Sequence, residues 1–222
     1  MVNFTVTEVK ERVLADNDAV AASVREELKE KKVFLINLMA SPGAGKTTTL
    51  VRTIKALQRE YRIGVMEADV DSVVDANTIA QTGAKVIQLH TGGSCHMDAD
   101  MTKRGLDAMG IEDLDVVFLE NVGNLVCPAE FDVGAAKKVM ILSVPEGHDK
   151  PLKYPLMFTV SDCLLINKID AAPVFHFDMD QLKENVKPLN PSMPIIPLSS
   201  LTGEGFDAWI TWLKKEIQTW QK

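Results

Sequence analysis

The chain has 222 residues, 46% of them hydrophobic, and a formal net charge of −7 at pH 7. This length supports one hydrophobic core, so we expect a single domain over residues 1–222, with residues 1–32 as an N-terminal helical extension. The acidic charge provides no overall positive field and argues against nucleic acid as a partner. Because the sequence shows neither a membrane span nor a secretion signal, we expect no membrane association and a cytoplasmic location.

Apolar runs of strand length recur along the chain, with helical patterns between most of them. Runs that are apolar on both faces are typical of a parallel sheet covered by helices. The sequence therefore predicts an α/β, doubly wound fold with a mostly parallel sheet of about seven strands and helices on both faces. The predicted strands span residues 33–40, 63–68, 85–89, 116–119, 139–144, 164–166 and 195–198.

Two helical segments stand at the ends of this pattern. Residues 16–32 are charged and contain neither Gly nor Pro, which predicts a helix packed outside the main sheet. Residues 205–220 carry Phe206, Trp209 and Leu213 on one apolar stripe, which we interpret as core.

The first predicted strand runs directly into Ser41-Pro-Gly-Ala-Gly-Lys-Thr47 and then into a helical stretch, 48–59. Small residues there let backbone N–H groups turn onto phosphate oxygens, and the helix N-terminus favours the same anion. We expect Lys46 to reach the β and γ phosphates and Thr47 to bind a nucleotide-associated Mg²⁺. The alternative is an ordinary glycine-rich turn, and Ala40 stands where the pattern has its first Gly. The predicted phosphate-binding residues are Gly43, Ala44, Gly45, Lys46, Thr47 and Thr48.

A second motif, Asn167-Lys-Ile-Asp170, follows a late strand, where doubly wound sheets bind ligands. The Asp170 carboxylate can accept hydrogen bonds from the N1–H and exocyclic amine of guanine, whereas adenine offers neither group at those positions. Together with the phosphate loop, this motif predicts GTP, although alone it also occurs as a polar turn. The predicted base-side residues are Asn167, Lys168 and Asp170, with Ser200 and Leu201 as further nucleotide contacts.

Carboxylates at two further strand ends are candidates for binding Mg²⁺ or for hydrolysis. Glu120 ends the fourth strand beside the predicted loop, where an acid in this kind of fold faces Mg²⁺. A solvated strand-end acid is the alternative. Asp69, Asp71 and Asp75 follow the second strand, and we expect one of them to contact Mg²⁺ or to position water. The predicted magnesium ligands are Thr47, Asp69 and Glu120.

The candidate catalytic residues are Lys46 and Asp75. Many GTPases place a glutamine after the glycine that follows the fourth strand, but here Asn124 follows Gly123. We therefore expect slow intrinsic hydrolysis, which a partner or a second copy of the chain would complete.

Two cysteines and a histidine lie in loops after strands. Cys95 and His96 are adjacent, and Cys127 comes seven residues after Glu120. Thiolate and imidazole suit Zn²⁺, Ni²⁺ or Cu, with water or another subunit completing the coordination. Free thiols packed under loops beside an incidental histidine are the alternative at this point. Cys163 opens a buried strand and is interpreted as core.

With these motifs placed, the chain resembles the hydrogenase nickel-incorporation GTPases, the HypB family, from Asp16 to the C-terminus. This resemblance implies a GTP-dependent homodimer that acts in nickel delivery to [NiFe]-hydrogenase, with maturation proteins and the hydrogenase large subunit as partners. It also implies that Cys95, His96 and Cys127 bind nickel or zinc at the dimer interface. The motifs that carry it are Ala40-Ser-Pro-Gly-Ala-Gly-Lys-Thr47, Glu67-Ala-Asp-Val-Asp71, Thr91-Gly-Gly-Ser-Cys-His96, Glu120-Asn-Val-Gly-Asn-Leu-Val-Cys-Pro128 and Asn167-Lys-Ile-Asp170.

Three other functions remain as alternatives. The related urease nickel-insertion GTPase is expected to show Cys-Pro-His where this chain has Ser94-Cys-His96. A metal-binding adaptor would hold its nucleotide as a structural element and scarcely hydrolyse it. A P-loop kinase would need an acceptor pocket and an arginine-rich lid, and the sequence shows no such segment.

Overall fold

The computed structural model of the chain describes residues 9–69 and 74–222, with side chains from 14 to 68 and from 75 onward. Its sheet contains seven strands, and each neighbouring pair is parallel. The strands are β1 (Phe34–Ala40), β2 (Ile63–Asp69), β3 (Lys85–His90), β4 (Val116–Glu120), β5 (Lys137–Ser143), β6 (Cys163–Asn167) and β7 (Ile195–Pro197). Their spatial order is β3-β2-β4-β1-β5-β6-β7.

Helices cover both faces of this sheet, so the predicted doubly wound α/β fold is confirmed. The strands that the apolar runs predicted are present, with shifted ends. For example, β5 begins at Lys137 rather than at residue 139, because the backbone pairing extends past the apolar run. The helices within the described residues are α1 (Val9–Glu30), α2 (Lys46–Leu57), α3 (Val74–Ala80), α4 (Ala99–Met109), α5 (Cys127–Glu130), α6 (Lys150–Lys153), α7 (Pro155–Val160), α8 (Ala172–Phe175), α9 (Met179–Val186) and α10 (Phe206–Trp220).

The N-terminal helix α1 begins at Val9, earlier than the predicted residue 16. It stops before Lys32, whose left-handed φ of 56° ends the helical path. Val24 and Leu28 are buried against the same core as Leu35 of β1, so α1 covers one face of the sheet. The part of the predicted extension before Val9 lies outside the described residues.

The opposite face is covered by α2 and α10. Trp209 and Leu213 of α10 are buried beside Leu50 and Ile54 of α2, which confirms the interpretation of the C-terminal stripe as core. The Trp209 indole N–H donates to the Thr53 hydroxyl at 2.9 Å, so this large side chain is buried with its polar atom satisfied. Within the described ranges, no helix combines the length and apolar character that crossing a membrane requires.

Since all strands run in the same direction, their carboxyl ends lie along one edge of the sheet. The loops that leave β1, β3, β4 and β6 at this edge carry the candidate functional residues. Such an edge, near the strand where the order reverses, is where open parallel sheets bind ligands.

Close contact between α1 and the loop before β5 generates a prediction about stability. Gly134 has a φ of 77°, and a Cβ there would lie 2.7 Å from Val24 and 2.8 Å from the Ala21 carbonyl oxygen. We expect Gly134→Ala to combine left-handed strain of about 1–2 kcal/mol with overpacking of about 1–3 kcal/mol.

Gly83→Ala is the matched control, because Gly83 has a φ of 88° and a Cβ there would meet no described atom within 4 Å. The free energy of unfolding of Gly83→Ala should fall only by the cost of backbone strain. Urea unfolding of both variants and the parent measures the difference, and equal losses of stability would contradict the tight α1 contact.

Candidate nucleotide site and metal centre

The predicted phosphate loop lies between β1 and α2, at the carboxyl edge of the sheet. Gly43 and Gly45 adopt left-handed φ values of 76° and 96°, which turn the backbone into the start of α2. A Cβ at Gly45 would collide with the Asn167 side chain. The loop therefore needs glycine at position 45 both for its backbone angle and for its close contact with Asn167.

Asn167 and Lys168 hold this loop from the end of β6. The Asn167 amide donates to the Ala44 carbonyl at 2.9 Å, and the Lys168 ammonium donates to the Gly43 carbonyl at 2.6 Å. The Asn167 side-chain oxygen accepts from the Lys168 and Ser200 backbone N–H groups at 2.8 and 3.0 Å. The buried Asn167 carboxamide thus joins three segments of the candidate nucleotide site.

The segment after β7 is held by Thr49 and Arg52, two residues of α2 that the sequence did not single out. The Thr49 and Ser200 hydroxyls lie 2.7 Å apart, and Arg52 donates to the carbonyls of Ser200 and Leu201, each at 3.0 Å. Leu201 itself is 77% exposed. Their positions in the first turns of α2 could have identified Thr49 and Arg52 from the sequence, because this helix begins at the carboxyl edge of the sheet.

Asp170 follows in a short 3₁₀ turn, 169–171, and its side chain is exposed. It lies beyond Asn167 and Lys168, whose side chains bond to the phosphate loop. The exposed Asp170 carboxylate can accept hydrogen bonds from a ligand at this point.

A cavity of about 590 Å³ opens above the phosphate loop. The Thr47 hydroxyl donates to a Glu120 carboxylate oxygen at 2.7 Å within it. Glu67 and Glu120 are register partners on adjacent strands and are each only 2% exposed. The cavity is lined by Lys46, Thr47, Thr48, Glu67, Asp75, Glu120 and neighbouring loop residues.

This donor set fits Mg²⁺. A hydroxyl beside two buried carboxylates supplies hard oxygen ligands and a negative field that a divalent cation would neutralise. Glu67 was not among the predicted site residues, although an acid in the otherwise apolar interior of β2 was a detectable signal. Asp75 lines the cavity from the first turn of α3. Asp69 ends β2, but its side chain and the whole of Asp71 lie outside the described residues.

The three predicted soft ligands come together at the same edge. The ligand atoms of Cys95, His96 and Cys127 all lie within 4.8 Å of one another. The two sulfur atoms are 2.8 Å apart, and the Cys95 sulfur is 3.9 Å from His96 Nδ1. Cys95 is exposed and the other two side chains are half-buried, so the cluster is open to solvent. Cys163 is fully buried at the start of β6 and lies outside this cluster.

Two supports orient the cluster. The His96 ring stacks on Phe131 with 3.9 Å between ring centroids. From α1, the Asn17 amide donates to the Asp132 carbonyl, and its oxygen accepts from the Ala99 N–H, both at 2.9 Å. Asn17 therefore joins the start of α4, which follows His96, to the segment after α5, the helix that begins at Cys127. The charged, helix-prone pattern of this segment did not reveal that role.

The pKa values of His96 and Cys127 are shifted in opposite directions. Burial lowers the pKa of His96, although the charges of Asp98 and Glu130 oppose this effect. Its imidazole is therefore neutral near pH 7, which is the form that binds metals. Hydrogen bonding with Cys95 raises the pKa of Cys127, and burial and the Cys95 charge add to this effect. Metal binding would consequently release thiol protons.

The nucleotide-binding domain model of the CobW/HypB/UreG group matches residues 34–197. The chain is 44% identical to the hydrogenase maturation factor HypB of Rhizobium leguminosarum bv. viciae, over 94% of this chain and 70% of that protein. It is 42% identical to HypB of Escherichia coli K12, over 94% of this chain and 72% of that one. The hydrogenase/urease maturation factor HypB of Helicobacter pylori is 39% identical, over 89% of this chain and 84% of that one.

Solved structures show the same relationship. The crystal structure of HypB from Helicobacter pylori in complex with nickel superimposes with a TM-score of 0.86 at 36% identity, over 93% of this chain and 98% of that one. HypB from Archaeoglobus fulgidus gives 0.85 at 38% identity, over 92% and 100%. The signal recognition particle receptor FtsY from Elizabethkingia anophelis shares the fold, with a TM-score of 0.57 at 14% identity over 95% and 79%. From its sequence relatives and its matching structures, the chain belongs to the HypB family.

Proposed function

We propose that this chain is a GTP-hydrolysing metallochaperone that binds nickel, or zinc, and assists nickel insertion into [NiFe]-hydrogenase during its maturation. The observation that carries this proposal is the placement of a phosphate loop and a Cys95, His96 and Cys127 cluster along one edge of the sheet. Membership of the HypB family supports the role in hydrogenase maturation. Its partners would be the maturation proteins and the hydrogenase large subunit.

In the nucleotide site, Asp170 would select guanine and the phosphate loop would bind the phosphates. Lys46 and Thr48, at the start of α2, would face the phosphate oxygens together with the backbone N–H groups of residues 43–45. The Ser200 N–H is already bonded to Asn167, which leaves Leu201 as the residue whose N–H would meet the guanine carbonyl.

For hydrolysis, Thr47, Asp69 and Glu120 would hold Mg²⁺, which neutralises charge on the β and γ phosphates. Lys46 would stabilise the charge that develops on the transferred phosphoryl group. Asp75 is half-buried, lines the same cavity and would orient the attacking water. A carboxylate at position 75 replaces the missing glutamine only in part, and this supports slow intrinsic hydrolysis.

Nickel is the cargo in this proposal. Three soft ligands on one chain leave at least one coordination position for water, a second copy or an acceptor protein. The exposure of Cys95 makes this open position accessible. A GTP-dependent homodimer would bring two such clusters together, and hydrolysis would change the affinity for metal or for the partner.

Guanine selection by Asp170 predicts a change in base preference. In Asp170→Asn, the amide cannot accept two hydrogen bonds from the N1–H and amine of guanine, so GTP affinity should fall at least ~10-fold. Xanthosine triphosphate carries a carbonyl in place of that amine and should bind better than GTP. Competition against a fluorescent nucleotide measures both, and unchanged GTP preference would remove Asp170 from the base site.

The metal assignment predicts a difference among the three cysteines. Cys95→Ser and Cys127→Ser should each lower Ni²⁺ affinity by more than ~10-fold, because each removes a thiolate ligand. Cys163→Ala is the control, since its thiol is fully buried in the core away from the cluster. Chelator competition on each variant measures the affinity, and retention of tight binding in both serine variants would exclude this cluster.

Coupling between the sites predicts that nucleotide state changes metal affinity. We expect Ni²⁺ affinity with GDP and with a non-hydrolysable GTP analogue to differ by between about 5- and 150-fold. Mg²⁺ is present in both titrations. Equal affinities would show that the nucleotide does not regulate the metal cluster.

A further inference from the structure

Two asparagines lie on the short segment between Glu120 and Cys127, and each contacts both β1, which leads into the phosphate loop, and the segment 95–97 beside the metal ligands. Asn121 is 1% exposed and lines the nucleotide cavity. Its side-chain oxygen accepts from the Met97 N–H at 3.2 Å and from the Val122 N–H at 2.9 Å. Met97 follows His96 directly, so Asn121 connects the nucleotide cavity to the loop that carries two metal ligands.

The other side of the Asn121 carboxamide is fixed to the centre of the sheet. Its NH₂ group donates to the Asn37 side-chain oxygen at 3.1 Å, and Asn37 is fully buried in β1. The Asn121 backbone N–H donates to the Leu38 carbonyl at 3.0 Å. This residue therefore has one set of bonds to the strand that leads into the phosphate loop and another to the metal loop.

Asn124 makes a second connection of the same kind. Its backbone N–H donates to the carbonyl of Ala40, the last residue before the phosphate loop, at 2.9 Å. Its side-chain NH₂ makes a long hydrogen bond, 3.4 Å, to the carbonyl of Cys95. Its side-chain oxygen accepts from the Val126 N–H at 2.9 Å, next to Cys127. One side chain thus contacts both metal-carrying loops.

Between the two asparagines, Gly123 packs directly on the phosphate loop. A Cβ at Gly123 would lie 3.1 Å from the Pro42 ring and backbone nitrogen. The segment 121–124 therefore lies against the phosphate loop, with no room for a side chain between Gly123 and Pro42. Any displacement of Pro42 would be passed to residues whose side chains bond the metal loops.

We propose that Asn121 and Asn124 are positioning residues that transmit the nucleotide state to the metal ligands. A shift of the segment would draw the bonded loops with it, because breaking these bonds would leave a buried N–H such as that of Met97 without an acceptor, which costs free energy. The inference rests on the proposed coupling between GTP and metal, and it names the side chains that carry this coupling. Asn17 supports the same ligands from α1, through Ala99 and Asp132, away from the residues that line the nucleotide cavity.

The experiment measures Ni²⁺ affinity with GDP and with a non-hydrolysable GTP analogue, by competition with a chromophoric chelator. The ratio of these two affinities is then compared between the parent protein and each variant. In Asn124→Ala and in Asn121→Leu, this ratio should fall towards one by about 3- to 10-fold, as expected for the loss of one or two net hydrogen bonds. In the control Asn17→Ala, Ni²⁺ affinity should fall by the same factor in both states, so that the ratio is retained.

The outcomes separate the two proposals. A wild-type ratio of one overturns the coupling itself. A wild-type ratio that differs from one and survives in Asn124→Ala and Asn121→Leu overturns only the role of the asparagines. Because Asn121 is buried, its variant is also followed by thermal unfolding, and if it does not fold, Asn124→Ala decides the question alone.

Discussion

The parallel pairing of β1 with β4 sets the positions of both candidate sites. In this register Leu38 pairs with Glu120, which brings the Glu120 carboxylate within 2.7 Å of the Thr47 hydroxyl at the start of α2. A slip of one residue would turn Glu120 to the other face of the sheet. The chain that leaves β4 then passes over Pro42 before it reaches Cys127, so one strand pair sets the separation of the two candidate sites.

The charges around the candidate nucleotide site favour a cation there. Glu67 and Glu120 are buried side by side, and a bound triphosphate would add further negative charge to the same cavity. The loop N–H groups, the α2 dipole and Lys46 would act on the phosphates, whereas the two carboxylates lie on strands of the sheet. In the proposed function a divalent cation would stabilise both, and nucleotide binding and Mg²⁺ binding would then depend on each other.

The sheet, the phosphate loop and the soft-ligand cluster were predictable because each has a local signature: an apolar run, a glycine pattern or a cysteine after a strand. The contacts of Asn17, Asn121 and Asn124 were not predictable from the sequence. Asparagine in a loop is equally typical of a turn, and its partners are distant in sequence, as in the 115 positions between Asn17 and Asp132. Only the folded chain shows which carbonyls and N–H groups these carboxamides meet.

A metal held by two loops responds to small displacements. Metal–ligand distances tolerate about ±0.2 Å, so relative movement of the Cys95 and Cys127 loops by a fraction of an ångström is enough to change affinity. Asn17 and the stacking of His96 on its aromatic neighbour hold these loops from α1 and from the side of α5. Asn121 and Asn124 hold them from the phosphate loop. Asn121 lines the nucleotide cavity and Asn124 contacts β1 beside it, whereas Asn17 and the aromatic neighbour of His96 do not line this cavity. A change of nucleotide would therefore act on the first support while the second stays fixed. This difference would distort the ligand set.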